Sequence, residues 1–568
     1  MLNFKLCALV IGLMLSTTLL TAQTLPYLKT ENGRTQLIVD GKPFLMLAGE
    51  LSNSASGSIE DMNPSGTPLP RKVYKPAKGT LGNYSSQNMA YTGSVWDQME
   101  DLNVNTVLAV VSWEMIEPEE GKYDFSVVDA MLEGARKKDI KLIPLWFGTW
   151  KNGMSSYVPL WVKQDYKRFP RTKIKKEGSI EVVSTFSKEA LEADAKAFTA
   201  FMRHIKKVDS KEQTVIMVQV ENEVGILGDS RDRSLTAEEA FNGSVPKQLV
   251  DYLKSNKESL IPELAEIWAA TGYKESGTWP EVFGSSSWTD LIFMAWNYSV
   301  YMNEVTKRGK EVYNLPMFVN AWLEYPSEPY PGGFPSGGPV PRVMDIWKAG
   351  APDVDFMAPD IYGTNFIEWC DKYTSQGDPL FIPETWWNKP KYVQFMFYAL
   401  GHYNTLGVAP FGVDRIDPLE NPPLKEMFSV AEYLAPEILK YQGDRSKMVG
   451  FMLDLDNPSQ EFEMENYYVK AELYSRRGKI MVDDAFGMII KTGENEFTIS
   501  GTRATISFRP KEGEETKAGI GPVDEYEYHN GRWINRRRLG GDETNRGRAV
   551  YMLMDGIGIQ KAIVYKYN

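Results

Sequence analysis

Apolar, β-branched and aromatic residues gather in short runs along this chain, at residues 44–50, 105–113, 141–148, 215–222, 315–322, 355–362, 379–386 and 407–414. Runs of this length, bounded by glycine and polar residues, predict buried strands. Between them, segments 126–138, 188–207, 287–308 and 342–349 repeat their apolar positions three and four apart, the period of amphipathic helices. Eight alternating units predict an α/β fold, a (β/α)8 TIM barrel. A doubly wound sheet would carry a Gly-rich phosphate-binding turn after its first strand, and none follows residue 50. A hairpin made by 36–39, the turn Asp40-Gly41 and 43–47 precedes the barrel, and a helix at 425–441 closes it.

Two long segments follow predicted strands and so fall on the catalytic face of a barrel. They are 51–94, rich in Pro, Gly, Ser and Asn, and 225–286, with a helix near 247–271. Beyond Gly443 the texture changes to short strand-like runs at 448–455, 467–474, 488–491, 496–499, 504–508 and 549–554, separated by Gly, Asn and Asp. The expected division is a barrel over 23–443 and a smaller C-terminal antiparallel β-sandwich-like domain over 444–568. A structural cap is the preferred reading of that domain, because its pattern exposes no aromatic platform.

The first 22 residues hold one lysine, Lys5, an apolar stretch at 6–15 and then small polar residues. This is the pattern of a secretory signal peptide, cleaved near Ala22, and its apolar stretch is too short to span a bilayer. A secreted or periplasmic product with no membrane span is expected. Cys7 lies in that leader, which leaves Cys370 alone, so no intramolecular disulfide forms and the thiol reads as a buried, inert one. A net charge of −12 argues against a nucleic-acid partner, and Arg536-Arg537-Arg538 sits among acidic residues as a solvated face. The pattern says nothing of oligomeric state.

Chemistry concentrates at two strand ends. The fourth predicted strand finishes in Gln219-Val220-Glu221-Asn222-Glu223, and the seventh in Pro383-Glu384-Thr385-Trp386. Strands four and seven lie across a barrel mouth from one another, so their carboxyls can flank one substrate. Glycoside cleavage needs that pair: one carboxyl protonates the leaving oxygen while the other attacks or supports an oxocarbenium-like carbon. Period-two alternation gives Glu221 and Glu223 the same face and does not choose between them. Three histidines, His204, His402 and His529, do not make a metal centre, and no Gly-x-Ser-x-Gly elbow supports a serine triad. No metal and no cofactor is expected. Among the 15 tryptophans, Trp113, Trp146, Trp150, Trp161, Trp322, Trp386 and Trp387 fall at or just past strand ends, where indoles can stack on sugar rings, which makes a carbohydrate the expected partner.

Four segments carry a family likeness. They are Asp40-Gly41-Lys42-Pro43-Phe44 leading to Gly49-Glu50; Asn105-Thr106-Val107 through Trp113-Glu114 to Glu117-Pro118-Glu119-Glu120-Gly121-Lys122-Tyr123-Asp124-Phe125; Gln219 through Gly225; and Pro383 through Trp386. Together they resemble the β-galactosidases of glycoside hydrolase family 35, within the clan of retaining barrel enzymes, over about residues 27–440. The resemblance implies that Glu223 is the acid/base, Glu384 the nucleophile, Asn222 a contact to the sugar 2-hydroxyl and Tyr362 a hydrogen-bond donor to the nucleophile. Two departures touch sugar recognition. The third strand reads Pro144-Leu145-Trp146-Phe147-Gly148-Thr149-Trp150-Lys151-Asn152-Gly153 where many members carry an Ile-Cys-Ala-Glu-Trp segment, and Glu114 stands where Asn is frequent. The whole resembles a divergent bacterial branch with a small C-terminal β domain, acting on galactosylated plant glycans such as xyloglucan.

The expected activity is therefore a secreted retaining exo-β-galactosidase. Its alternatives are another retaining β-glycosidase or endo-glycanase on the same barrel, and a catalytically silent glycan-binding protein. Retention of both Glu223 and Glu384 speaks against the last.

Overall fold

The computed structural model describes residues 24–68, 71–76, 84–389, 391–420, 422–513, 515–529 and 532–568. The leader at 1–22 lies outside the described residues, as does part of the segment 51–94. Eight parallel strands form the barrel: Met46–Glu50, Thr106–Ser112, Lys141–Lys151, Val218–Asn222, Met317–Trp322, Phe356–Ile361, Leu380–Ile382 continued by Glu384–Thr385, and Thr405–Val408. Each falls within or beside its predicted run. The seventh strand is split because Pro383 has no N–H to give to a ladder. Its first piece pairs with the eighth strand, Leu380 opposite Thr405, and its second with the sixth, Glu384 opposite Asp360. The eighth strand pairs in turn with the first, Gly407 opposite Met46, and the ring closes.

The barrel interior is filled by Leu108, Val110, Leu145, Phe147, Phe318, Phe356 and Phe381, all buried. Leu37 and Val39 join the same cluster from a three-stranded antiparallel sheet of Tyr27–Glu31, Arg34–Val39 and Lys42–Phe44, so this sheet plugs the barrel. Its second turn has positive φ at both Asp40 (50°) and Gly41 (74°), the left-handed pair that a two-residue hairpin turn requires.

Helices Ser126–Lys137, Lys188–Asp209 and Ser287–Val312 cover the outside, and Pro423–Tyr441 follows the last strand. Helix Tyr392–His402 escaped the periodicity argument for a physical reason. Every residue from Tyr392 to Gly401 is buried, because the C-terminal domain packs on the side that would otherwise face water. A Cβ at Gly401 would come within 2.8 Å of the Met488 Cβ. A helix buried all round shows no polar stripe.

Both expected insertions are present. The first carries Ile59–Met62 and an antiparallel pair, Arg71–Pro76 with Tyr84–Tyr91; the second carries Leu235–Phe241, Lys247–Ser255, Pro262–Ala269 and Trp279–Phe283. A third, between the third strand and helix Lys188–Asp209, holds the hairpin Arg171–Ile174 and Gly178–Val183.

Beyond the barrel, a six-stranded and a four-stranded antiparallel sheet enclose a separate core that includes Phe451, Tyr467, Ile489, Phe497 and Ile506. The six-stranded sheet ends in a long hairpin, Lys517–His529 with Arg532–Leu539, that the apolar pattern does not announce because its outer half is exposed and charged. Arg536, Arg537 and Arg538 there face Glu527, Glu525 and Asp524, as expected of a solvated strand face. Cys370 is buried on helix Phe366–Thr374, and burial pushes its thiol well above its ordinary range. Among the described residues no helix is long and apolar enough to cross a membrane.

Candidate active site

The fourth strand does not keep period two at its end. The third strand runs from Trp146 to Lys151 while the fourth advances only from Val220 to Asn222, a bulge in the third. Glu221 and Glu223 both sit in the left-handed region, at φ 59° and 46°. Non-glycine residues there cost on the order of 1 kcal/mol each, and such strain collects at functional sites. The bulge turns two N–H groups toward Glu221: Thr149 donates to Oε1 at 2.8 Å and Trp150 to Oε2 at 2.7 Å. Asp194 of helix Lys188–Asp209 lies against the same carboxyl. Burial and this neighbour push Glu221 well above the carboxylate range. Gly148 makes the arrangement possible, since a Cβ there would meet Glu221 Oε1 at 2.5 Å and Asp194 Oδ1 at 2.7 Å. Glu221 thus faces the helix layer, and the two glutamates do not share a face.

Glu223 turns to the barrel mouth. Its N–H donates to Asn320 Oδ1 at 3.0 Å, and the Asn320 amide donates to Asn222 Oδ1 at 3.0 Å and to Asp360 Oδ2 at 2.7 Å. Asn222 is fully buried, accepts from Gln219 Nε2 at 2.9 Å and donates to Asn152 Oδ1 at 3.2 Å. These polar residues end the third to sixth strands, and their mutual bonds fix the orientation of each carboxyl.

Across the mouth, Tyr362 donates its hydroxyl to Glu384 Oε2 at 2.7 Å. Lys151 Nζ lies 3.8 Å from Glu384 Oε1, a buried oxygen with no hydrogen-bond partner among the described residues. Oxygens of Glu223, Asp360 and Glu384 all lie within 4.8 Å of one another. Such closeness is compatible with the roughly 5 Å spacing of retaining glycosidases.

Four acids, Glu50, Glu223, Asp360 and Glu384, surround the one ammonium of Lys151. Burial, then the charge of Glu384, pushes Glu223 up to about 7, against a lowering by Lys151. The same two causes hold Glu50 and Asp360 well above the carboxylate range. Burial works against the Lys151 ammonium, and the surrounding carboxyls, Glu384 first, outweigh it and raise its pKa. Three carboxylates this close have the donor set of a hard divalent cation. In this chain, however, Lys151 already places a positive charge beside Glu384.

The structure corrects the aromatic expectations. Trp113, Trp146 and Trp150 are buried to 0–1% exposure and belong to the core. Their indole N–H groups donate to Glu117, to Asp194 and to the Val183 carbonyl, so none presents a face to a sugar. Trp146 points to the helix side by the alternation that turns Leu145 and Phe147 into the barrel, and Trp150 lies on that side within the bulge. Trp161 donates to the Glu117 carbonyl, and Trp387 is 4% exposed. Trp322 and Trp386 remain half-buried at strand ends, opposite Asp360 and beside Tyr362 respectively. Glu114 is paired with Lys163 at 3.5 Å and does not join the polar cluster. Glu50, Lys151, Asn320 and Asp360 were not singled out by the sequence reading. A polar residue inside an apolar strand was the available signal for Asn320 and Asp360; nothing marked Lys151, whose position depends on the bulge.

Residues 88–290 match the model of a glycoside hydrolase family, family 42, described as β-galactosidase, and residues 424–551 match a domain of unknown function, DUF5597. The chain thus carries a glycoside hydrolase domain, and the matched model is of family 42 rather than 35. No curated protein matches the chain. Among solved structures, it is similar to a cold-adapted β-galactosidase from Rahnella sp. R3, with 17% identity and TM-score 0.40, over 60% of this chain and 53% of that one. It is similar to a β-galactosidase from the psychrophilic Marinomonas ef1, with 14% identity and TM-score 0.41, over 61% and 59%. A β-mannanase from the blue mussel Mytilus edulis has 12% identity and TM-score 0.40, over 74% and 98%. The chain spans little more than half the length of the two β-galactosidases.

Proposed function

We propose that this protein is a retaining exo-β-galactosidase of the family 35 kind, which releases terminal galactose from oligo- or polysaccharides such as xyloglucan-type glycans outside the cytoplasm. The observation that carries the mechanism is the opposition of two unlike carboxyls. Glu223 is raised to about 7 and holds a proton near neutrality, whereas Glu384 has a hydroxyl donor on one oxygen, an ammonium near the other, and its Oε1 unpartnered. Different environments for two carboxyls are what separates an acid from a nucleophile.

In the first step Glu384 Oε1 attacks the anomeric carbon while Glu223 gives its proton to the leaving oxygen, forming a glycosyl-enzyme ester. Glu223, now a carboxylate, takes a proton from water, which attacks the same carbon and returns galactose with its configuration retained and Glu384 free. Lys151 and Tyr362 attract negative charge at Glu384 when it departs. Asn222 reaches the 2-hydroxyl, and Trp322 and Trp386 offer ring faces to the sugar. The galactose assignment is supported by the β-galactosidase model over 88–290 and by the four segments that resemble family 35.

The test is release of product from a galactosylated oligosaccharide, followed by NMR at early times, beside its glucosylated counterpart. Free β-galactose as first product supports the reading. First-formed α-galactose overturns retention, and internal cleavage or equal rates on glucosides overturns the substrate assignment.

A further inference from the structure

Well away from Glu223 and Glu384 in sequence and lining, a cleft of about 560 Å³ opens between helix Pro423–Tyr441 and the hairpin of Lys517–His529 and Arg532–Leu539. We propose that this cleft is a second, non-catalytic site for a saccharide chain, in which Tyr528 and Trp533 form the platform for a sugar ring. The ligand class rests on the glycosidase reading above.

One wall is aromatic by the logic of a strand. Tyr526 and Tyr528 are two residues apart and share a face, and Tyr528 stands directly opposite Trp533 in the ladder. The Tyr528 and Trp533 ring centroids are 5.7 Å apart, and Tyr528 keeps 47% of its surface exposed. The Trp533 indole N–H donates to the Ser429 carbonyl at 3.2 Å, which anchors that ring to the barrel helix. Tyr433 supports it from behind at 5.5 Å. The Tyr528 and Trp533 rings can each take the C–H side of a sugar, and their planes, 58° apart, make an angled wall rather than one flat face.

The opposite wall is mixed, with Pro422, Leu553 and Ile557 beside polar side chains. Asn103, Lys425 and Glu426 line it, and Glu426 holds its place by accepting the Ile557 N–H at 2.9 Å. These groups keep partners within the protein, Asn103 Nδ2 on the Lys425 carbonyl and Glu426 Oε1 on the Ile557 N–H, and their remaining hydrogen-bonding capacity suits the hydroxyls of a saccharide. The volume lies within the roughly 300–1,000 Å³ of small-molecule sites. Lys425, Glu426, Ser429, Tyr526, Tyr528 and Trp533 fall within the matched segment 424–551, which joins the last barrel helix to the hairpin, and other lining residues, Asn103 and Ile557 among them, lie outside that segment. The absence of a platform in the sequence pattern was a matter of register, since Tyr528 and Trp533 meet only across the hairpin.

Affinity electrophoresis of the full chain carrying Glu384→Gln, in gels containing tamarind xyloglucan, galactomannan or β-1,4-galactan, tests the proposal. Retardation is expected in at least one gel, with a tenfold or greater loss of apparent affinity in Tyr528→Ala and Trp533→Ala. Tyr528 is exposed, so its variant keeps the fold, which an unchanged Tm checks. In the chain with Glu384 intact, Tyr528→Ala leaves turnover of p-nitrophenyl β-galactoside within twofold. No retardation in any gel, or retardation that Tyr528→Ala leaves unchanged, overturns the proposal. A chain that is retarded through Tyr528 and yet inactive on every aryl glycoside overturns the proposed activity and not the cleft.

Discussion

The Lys151 ammonium lies 3.8 Å from Glu384 Oε1, with the two side chains only 7% and 6% exposed. An ion pair so far from water is strongly felt by every neighbouring acid. Lys151 also lowers the pKa values of Glu50 and Glu223, so it sets the protonation of the whole site. Lys151→Met is expected to move the Glu223 pKa further above its value of about 7 and to cut kcat/KM by roughly 10–1,000-fold, about 1.4–4 kcal/mol of transition-state stabilisation. The measurement is the pH dependence of kcat/KM: the alkaline limb shifts upward while the maximum falls. An unmoved limb separates Lys151 from the electrostatics argued here.

Glu384→Ala removes the proposed nucleophile, and turnover is expected to fall below about one-thousandth of the parent rate. Added azide or formate fits the vacated space and restores part of the activity with inverted product. Near-normal turnover without azide excludes Glu384 as nucleophile.

Glu223→Ala is expected to slow poor leaving groups by about 10²–10⁴-fold and activated aryl galactosides far less at the glycosylation step, because the latter need little protonation. In the parent, activity is lost as pH rises through about 7, where Glu223 gives up its proton in the free enzyme. That limb is absent in the variant. Equal losses on both substrate classes count against an acid role.

The same carboxyl couples activity to stability. Its folded pKa of about 7 lies above the ordinary value of 4.5, so folding favours the protonated form. Its stabilisation is present below pH 4.5 and is lost as pH rises through about 7. Glu223→Gln removes that titration and is expected to unfold at higher urea than the parent at pH 8, by roughly 1–3 kcal/mol, with little difference at pH 4. Urea titrations at the two pH values decide it.

Glu221 supplies the contrast. Its carboxyl accepts the Thr149 and Trp150 N–H groups behind the barrel wall, so Glu221→Ala leaves two buried donors unpaired and costs about 2–5 kcal/mol of stability. Where the folded fraction remains, the ratio of rates on poor and good leaving groups stays that of the parent. A changed ratio assigns part of the proton transfer to Glu221.

The sequence by itself determined the barrel and its chemistry class. Apolar runs of strand length alternate with helical periods because each strand is buried on both faces and each outer helix on one, and those constraints act locally enough to be read along the chain. The placing of Glu223 and Glu384 at the ends of the fourth and seventh strands was legible for the same reason: a carboxyl at the end of an apolar run is conspicuous. Tertiary structure decided what local pattern does not hold. Which of Glu221 and Glu223 faces the mouth depends on a bulge in a different strand, between Trp146 and Lys151. That bulge also delivers Lys151 to Glu384. Helix Tyr392–His402 lost its polar stripe to a domain more than forty residues away in sequence. Period and spacing record how a segment meets its own surroundings on average; the meeting of Glu50, Lys151, Asp360 and Glu384 is a property of ring closure, which brings the ends of strands one, three, six and seven together only once the eighth has paired with the first.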